Sequence, residues 1–396
     1  MANGQDIPRL SGSLAGTEKI FLGLGVIGAV GCGVSYAMDK KSFFASYLTA
    51  FAFFLALSLG ALFFVMVQHL ARSSWSVTVR RIAEASAGNL QWMAVLSIPL
   101  FLGIPALFTW WDPAAAHADH LIHIKQGYLN QPFFIIRNVI YFAAWWFFGR
   151  LMFKMSVGQD KSKDPATTLK LAKWSAIGVI FFTLTQTFWA FDWIMALDPH
   201  WFSTMFGVYF FAGAVVAQYC FLIMMSFWAK KSGGKDFFNV EHFHDMGKLL
   251  FGHNVFWTYI GFSQFMLIWY ANIPEETVFF HHRAVGSWKT VSLLLPWCHF
   301  AIPFLFLMSH NIKRKLALLT IGSAWLLVMC YIDLYWLIQP NFHHEGAHFG
   351  LGDISSIIGI GGFFLFLFVK RLKSVNLIPS GDPRLEQCLT YDNGVA

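Results

Sequence analysis

The stretches Phe191-Asp192-Trp193-Ile194-Met195-Ala196-Leu197-Asp198-Pro199 and Ile332-Asp333-Leu334-Tyr335-Trp336-Leu337-Ile338-Gln339-Pro340 write one pattern twice, at the ends of two long apolar segments. In each, an acid stands seven residues before a proline, among aromatic and aliphatic neighbours. A carboxylate in such a run is costly inside a bilayer, so an intramembrane acid is a functional hypothesis by default. Two copies at matching places also imply a duplicated helix bundle, so the expected fold is an all-α integral membrane protein.

Composition points the same way. Of the 396 residues, 57% are hydrophobic, 18% aromatic and only 12% charged, about half the charged share of a soluble domain. Trp and Phe are abundant, as expected for lipid-facing helices with aromatic belts. The five cysteines, Cys32, Cys220, Cys298, Cys330 and Cys388, form no C-x-x-C or C-x-x-C-H. No iron–sulfur, c-type haem or disulfide framework is therefore expected in this chain. No A-x-A-like site follows the first apolar run, so no cleaved signal peptide is expected either.

Ten apolar runs fall near residues 20–37, 43–70, 90–111, 133–153, 171–197, 204–228, 249–273, 290–309, 316–338 and 354–369, each near the ~20 residues needed to span a bilayer. They predict a cytoplasmic segment 1–19, a peripheral helix 1 in 20–42 and a first four-helix bundle of helices 2–5 in 43–197. A second bundle of helices 6–9 follows in 198–338, then an extracytoplasmic loop and peripheral helix 10 in 339–369, and a cytoplasmic tail 370–396. Of the 28 Lys and Arg, 22 fall in the termini and the even-numbered loops, 5 in the other loops, and Arg137 lies inside a helix. The positive-inside rule then puts both termini in the cytoplasm. The tail is too short to bury a core of its own. The opposite face is rich in histidine: His117, His120, His123, His200, His281, His282, His343, His344 and His348. Such a surface reads as ordinary polar loops or as a face that meets a partner or handles protons. Helix 1 carries a small-residue ridge of Gly25, Ala29 and Gly33, and helix 10 carries Ser355 and Gly359. These suit close helix packing in lipid.

In this arrangement helices 5 and 9 run outward, so Asp192 and Asp333 lie just below the extracytoplasmic surface. Arg137 on helix 4 comes to a similar depth, and an Arg137–Asp192 pair is the plain structural reading of the first bundle. Asp333 has no obvious cation in its own bundle; its nearest polar candidates are His299 on helix 8 and Gln264 on helix 7. That makes Asp333 the better candidate for a protonatable group. Pro296 and Pro303 flank His299, and Pro303 cannot donate the bond that would satisfy the His299 carbonyl. Pro99 and Pro105 release the carbonyls of Val95 and Phe101 in the same way. Free carbonyls inside a membrane are tolerated where they line a polar cavity or a water path.

Two other motifs carry less weight. His344-Glu345-Gly346-Ala347-His348 is a literal H-E-x-x-H, but zinc catalysis needs that string on a helix. Here it sits among Pro340, Gly346, Gly350 and Gly352. Bis-histidine haem would need an axial pair, and His69, His253 and His299 lie on different helices at different depths. No metal site is expected.

The segment from Phe191 to Tyr209, which continues the first copy through His200-Trp201-Phe202-Ser203-Thr204-Met205-Phe206-Gly207-Val208, resembles the signature of the ActF-type membrane subunit of bacterial alternative complex III. The likeness extends over the chain through ten helices, two bundles and inside termini. It places the chain with the NrfD-like group, which includes the membrane anchor of polysulfide reductase. The resemblance implies a subunit of a quinol:cytochrome c (or high-potential acceptor) oxidoreductase in the bacterial inner membrane, not catalytic alone. It implies no covalently bound cofactor here, with menaquinol or ubiquinol as the quinone and haem and iron–sulfur centres on other subunits. Those partners are multihaem and monohaem cytochromes c, an iron–sulfur subunit and a paralogous membrane subunit, together with lipids and a terminal oxidase, and no nucleic acid. In that family the ActC-type paralogue is the better-supported quinol site. The ActF-type copy is associated with proton movement, scaffolding or contact with the oxidase. Asp333, His299, Gln264, Asp192 and Arg137 are the candidate proton-transfer or quinone-site residues.

The alternatives are the ActC-type paralogue itself, a ten-helix secondary transporter with a midplane site between repeats, a structural anchor whose acids never titrate, and an intramembrane metalloprotease. A transporter would turn over as an isolated chain, whereas the leading reading requires partners.

Overall fold

The computed structural model describes residues 16–392; residues 1–15 and 393–396, parts of the expected N-terminal segment and tail, lie outside them, as does the side chain of His117. Among the described residues the chain is helical without a strand. The long elements are α1 (Thr17–Met38), α2 (Lys40–Leu70) and α3 (77–107, in segments Val77–Ala87, Leu90–Leu96 and Ile98–Leu107). They continue with α4 (Gln131–Ser162), α5 (Ala166–Trp193), α6 (Phe206–Lys231), α7 (Val240–Ala271), α8 (Trp288–Met308), α9 (Leu316–Ile338) and α10 (Leu351–Lys373). Eight of these are long and apolar enough to cross a membrane, and nine if α3, bent by 55° near Ser97, counts as one span. The chain is a multi-pass membrane protein. Helix α7 has 32 residues, but His253, Asn254, Ser263 and Gln264 interrupt its apolar run, and it is not among the eight.

Helix α2 is the axis of the molecule. Its cap is Asp39, whose carboxylate accepts from the backbone N–H of Lys41 at 3.0 Å and Ser42 at 3.2 Å. It is apolar on all sides and buried over nearly its whole length, as a helix without a polar face must be. It packs on α3, α5, α6, α9 and α10. Around it, α3 touches α4 and α4 touches α5, while α6 touches α7 and α9, and α8 touches both α7 and α9. Helix α10 lies between α1 and α2.

The contact of α1 with α10 uses a different ridge from the expected one. Gly25, Gly28 and Ser35 are the buried residues of α1, whereas Ala29 is exposed and Gly33 has open space beside it. Gly28 rests against the backbone of Gly359, and Gly25 against Gly362 and Phe363. With Gly31, which lies against Ser355, the contact positions 25, 28, 31 and 35 step by three and four residues, which follows the 3.6-residue turn; a strict four-residue spacing drifts off the contact.

The second loop is also revised. The apolar runs 43–70 and 90–111 imply a cytoplasmic loop between them, yet Val77–Ala87, with Arg80, Arg81 and Glu84, is a helical segment in which every residue is buried. Arg80 pairs with Asp382 at 2.6 Å and Glu84 at 3.2 Å, and Arg81 with Asp160 at 2.7 Å. The tail covers this cluster: Leu377, Ile378 and Cys388 are buried, and Arg384 holds Asp382 from the other side at 2.9 Å. Buried charges persist only when paired; here Glu84 pairs with Arg80 and Arg81 within the segment, and the two arginines find their other partners, Asp382 and Asp160, in elements distant in sequence.

Candidate functional site

In the first copy of the repeat, Asp192 is fully buried at the end of α5. Arg137, one turn and a half into α4, meets it with a two-pronged contact: Nε to Oδ2 at 2.9 Å and Nη2 to Oδ1 at 2.8 Å. Tyr141, four residues on and therefore on the same helix face, donates its hydroxyl to Oδ2 at 2.9 Å. The third guanidinium nitrogen donates to the Tyr128 carbonyl at 2.9 Å. The guanidinium plane lies over the rings of Tyr128 (3.9 Å) and Phe133 (4.3 Å). Such a fork, stacked and saturated, is the arrangement that suits arginine and not lysine.

In the second copy, Asp333 on α9 is equally enclosed but differently partnered. Tyr209 from α6 donates to Oδ1 at 2.5 Å, and the Trp257 indole from α7 donates to Oδ2 at 3.2 Å. Both donors are neutral, and among the described residues no cation pairs with Asp333. Gly213 of α6 stands beside the carboxylate and the Trp257 ring. A cavity lined by Phe53, Phe210, Gly213, Ala217, Cys330 and Asp333 opens there. Its volume is about 10 Å³, measured as space for the centre of a water, room for about one water molecule.

His299 does not touch Asp333. Its ring stacks on Trp257 at 3.7 Å and 21°, so the indole separates the two groups. Its Nε2 lies 3.8 Å from Cys330 Sγ, and its Nδ1 has no protein partner. The residues around it, Leu295–Ala301, form a π-helical turn, a rare irregularity within an α-helix that is frequent at functional sites. The carbonyl that Pro303 releases is not left to water: Asn254 of α7 donates to it at 3.0 Å. Gln264 is not part of the site. It is partly exposed about two turns beyond Trp257 on α7, and the polar place beside Asp333 is taken by Trp257.

Arg283, one of the five cations of the odd-numbered loops, takes a part that loop position does not suggest. It is buried, its guanidinium lies 3.4 Å over the Phe279 ring, and it donates to the carbonyls of Trp336 at 3.0 Å and Leu337 at 2.8 Å. It therefore caps the C-terminal end of α9. Tyr141 had a sequence signal in its four-residue spacing from Arg137. Tyr209 and Trp257 had none, because they reach Asp333 from other helices.

Near the C-terminal end of α5 a wider, mostly apolar cleft runs past Tyr128, Phe191, Met195 and Phe202, with Lys125 and Asp198 also on its wall and a volume of about 210 Å³ by the same measure. Tyr128, whose ring lies under the Arg137 guanidinium, separates it from the Arg137–Asp192 pair. On this face His200 pairs with Asp119 at 2.6 Å, and that hydrogen bond holds the Asp119 carboxyl below its ordinary pKa. The H-E-x-x-H string lies in an irregular loop, so His344 and His348 lack the helical register zinc catalysis requires.

No family model matches the chain, and a search of curated proteins finds no significant match.

Proposed function

We propose that this chain is a cofactor-free membrane subunit of a respiratory quinol:cytochrome c (or high-potential acceptor) oxidoreductase of the alternative complex III type, and that Asp333 is its proton-transfer group. In this reading the chain crosses the bacterial inner membrane ten times with both termini cytoplasmic. Helices α2–α5 and α6–α9 are its two four-helix bundles, and the haem and iron–sulfur centres belong to partner subunits. The contacts of α3 with α4, of α4 with α5, and among α6, α7, α8 and α9 support two groups, which α2 joins by packing on α6 and α9 as well; the uneven loop charges support the orientation.

The observation that carries the proposal is the contrast between the two repeated acids. Asp192 is locked by a cation in a saturated contact, which suits a structural role. Asp333 has neutral donors and a water-sized cavity at its side. A tyrosine hydroxyl can accept one proton while it donates another, so Tyr209, Asp333 and a water form a short relay. The indole of Trp257 only donates, so it orients the carboxylate, and His299 behind it lies outside the relay. The space beside Asp333 suits a water molecule and not a quinone ring. The apolar cleft beside Tyr128 is the better fit for a ring.

Purification from native membranes followed by haem and iron assay tests the complex. Co-purifying c-type haem and iron support it, and a chain that purifies alone and transports a solute refutes it. Within the complex, Asp333→Asn keeps shape and a hydrogen-bonding group, so assembly should persist while quinol oxidation or its proton yield falls by about 100-fold or more, the scale of a lost proton-transfer group. Unchanged turnover and proton yield would make Asp333 structural.

A further inference from the structure

We propose that the cleft between α3, α4 and the end of α10 is a binding site for the headgroup of an anionic phospholipid. Its lining includes Gln91, Trp145, Trp146, Arg150, Lys154 and Arg371, with a volume of about 230 Å³ for water centres. Three cations face it and no carboxylate does. None of Arg150, Lys154 and Arg371 has an ion-pair partner among the described residues. Three uncompensated charges in a concave site draw an anion, because low-dielectric walls concentrate the field.

The cleft is built, not incidental. Arg371 is held on the first break of α3, where Nη1 donates to Asn89 Oδ1 at 3.0 Å and to the Ala85 carbonyl at 3.1 Å. Gly88 makes this possible, since a Cβ there would come within 2.6 Å of the guanidinium carbon. Gly149 brings α4 close to the same break, where a Cβ would stand 3.1 Å from the Ala87 carbonyl. The aromatic walls hold the cations: Arg150 lies 5.7 Å over the Trp146 ring and Arg371 5.6 Å over that of Phe153.

Depth selects a lipid over a soluble anion. Arg150 is about 28 Å along α4 from its start at Gln131, and Arg371 about 30 Å along α10 from Leu351. That is about one hydrocarbon thickness, so the cations reach the headgroup level. The exposed side chains of Trp92, Val95, Ile98 and Leu102 on α3 continue from the cleft along the lipid-facing surface, where acyl chains would lie. Basic pockets between helices are established sites for acidic headgroups. The proposal holds for either orientation of the chain and is independent of the function proposed above.

The test is native mass spectrometry of the full chain in detergent, titrated with phosphatidylglycerol, phosphatidylethanolamine or inorganic phosphate. Phosphatidylglycerol should be retained in preference to phosphatidylethanolamine, and millimolar phosphate should not displace it. Arg150→Gln with Lys154→Gln should weaken retention about thirtyfold, the value for two basic groups at about 1 kcal/mol each. Lys161→Gln with Lys163→Gln removes the same charge from the exposed end of α4 and should leave retention unchanged. Equal retention of the two lipids, equal loss in the two double variants, or displacement by free phosphate would each overturn the lipid site.

Discussion

The Arg137–Asp192 contact gives the sharpest test of how α4 is held to α5. Replacing Arg137 with alanine leaves a carboxylate with no exposed surface and only the Tyr141 hydroxyl as partner. Breaking a buried pair from one side costs about 3–5 kcal/mol, and loss of the stacking on Tyr128 and Phe133 adds up to about 2 kcal/mol. Asp192→Asn keeps the shape and the tyrosine bond and leaves Arg137 its Tyr128 carbonyl and both rings, so it should cost about 2–3 kcal/mol. In the double variant the uncompensated carboxylate is gone. The sum of the single losses should therefore exceed the double loss by about 2–3 kcal/mol, the upper range for residues in contact. Arg137→Lys should fall between, since an ammonium keeps the charge but not the fork. Reversible unfolding in mixed micelles, followed by tryptophan fluorescence, reads these differences directly. If the two single changes add within about 0.5 kcal/mol, the pair is not the element that holds α4 to α5.

Two further predictions concern the faces of the membrane. Reporter fusions after Arg371 should read as cytoplasmic, and fusions within residues 340–352 as external; a reversed pattern would overturn the proposed orientation. On the other side of the molecule, burial alone would raise the Asp382 carboxyl, but Arg80 and Arg384 more than reverse this and hold it well below the usual carboxylate range. A depressed carboxyl contributes stability that is complete above its unfolded pKa, about 3.9, and is lost as pH falls through its folded value. Docking of residues 374–392 should therefore survive mild acid and fail only in strong acid. Asp382→Ala should release the tail at neutral pH, at a cost of about 3–5 kcal/mol, detected as new protease cleavage there. A tail that stays protected would show that Leu377, Ile378 and Cys388 suffice to hold it.

Much of the helical plan was legible because apolar runs of bilayer length carry their own signal. The pair of Arg137 with Asp192 was legible for a related reason: the depth of each residue along its helix can be counted. The partners of Asp333 were not, because depth does not give rotation. Counting residues placed His299 and Gln264 near the acid, but the faces of α7 and α8 that turn inward bring Trp257 between them. The released carbonyl of His299 was correctly located, yet its fate depended on Asn254, which no local pattern marks. Charge misled at Val77–Ala87 for the opposite reason. Arg80 and Arg81 read as loop cations because the acids that complete their pairing, Asp382 and Asp160, lie about 300 and 80 residues away, and a linear reading sees only the uncompensated half.

The two copies of the repeat differ mainly in where the cation went. In the first, the arginine sits on the acid, and the helix end four residues later is closed by a neutral donor, the Trp110 indole on the Ala196 carbonyl at 3.2 Å. In the second, the neutral donors Tyr209 and Trp257 sit on the acid. The arginine has moved to the helix end, where Arg283 takes the carbonyl at the matching place, Leu337. A cation at a helix C-terminus is favourable in its own right, since it meets the negative end of the helix dipole and the last free carbonyls. The second copy thus keeps a buried arginine that secures α9 without neutralising Asp333 directly. Both copies retain one acid and one arginine, and both helix ends are closed. The exchange leaves a carboxylate whose hydrogen bonds can be made in either protonation state, while the arginine that stabilises the fold is engaged elsewhere. A purely structural repeat would gain nothing from that exchange, because a fork like Arg137 on Asp192 already satisfies every atom of the acid. The displacement of the cation is what a duplicated bundle would show if one copy kept the packing role and the other was released to move protons.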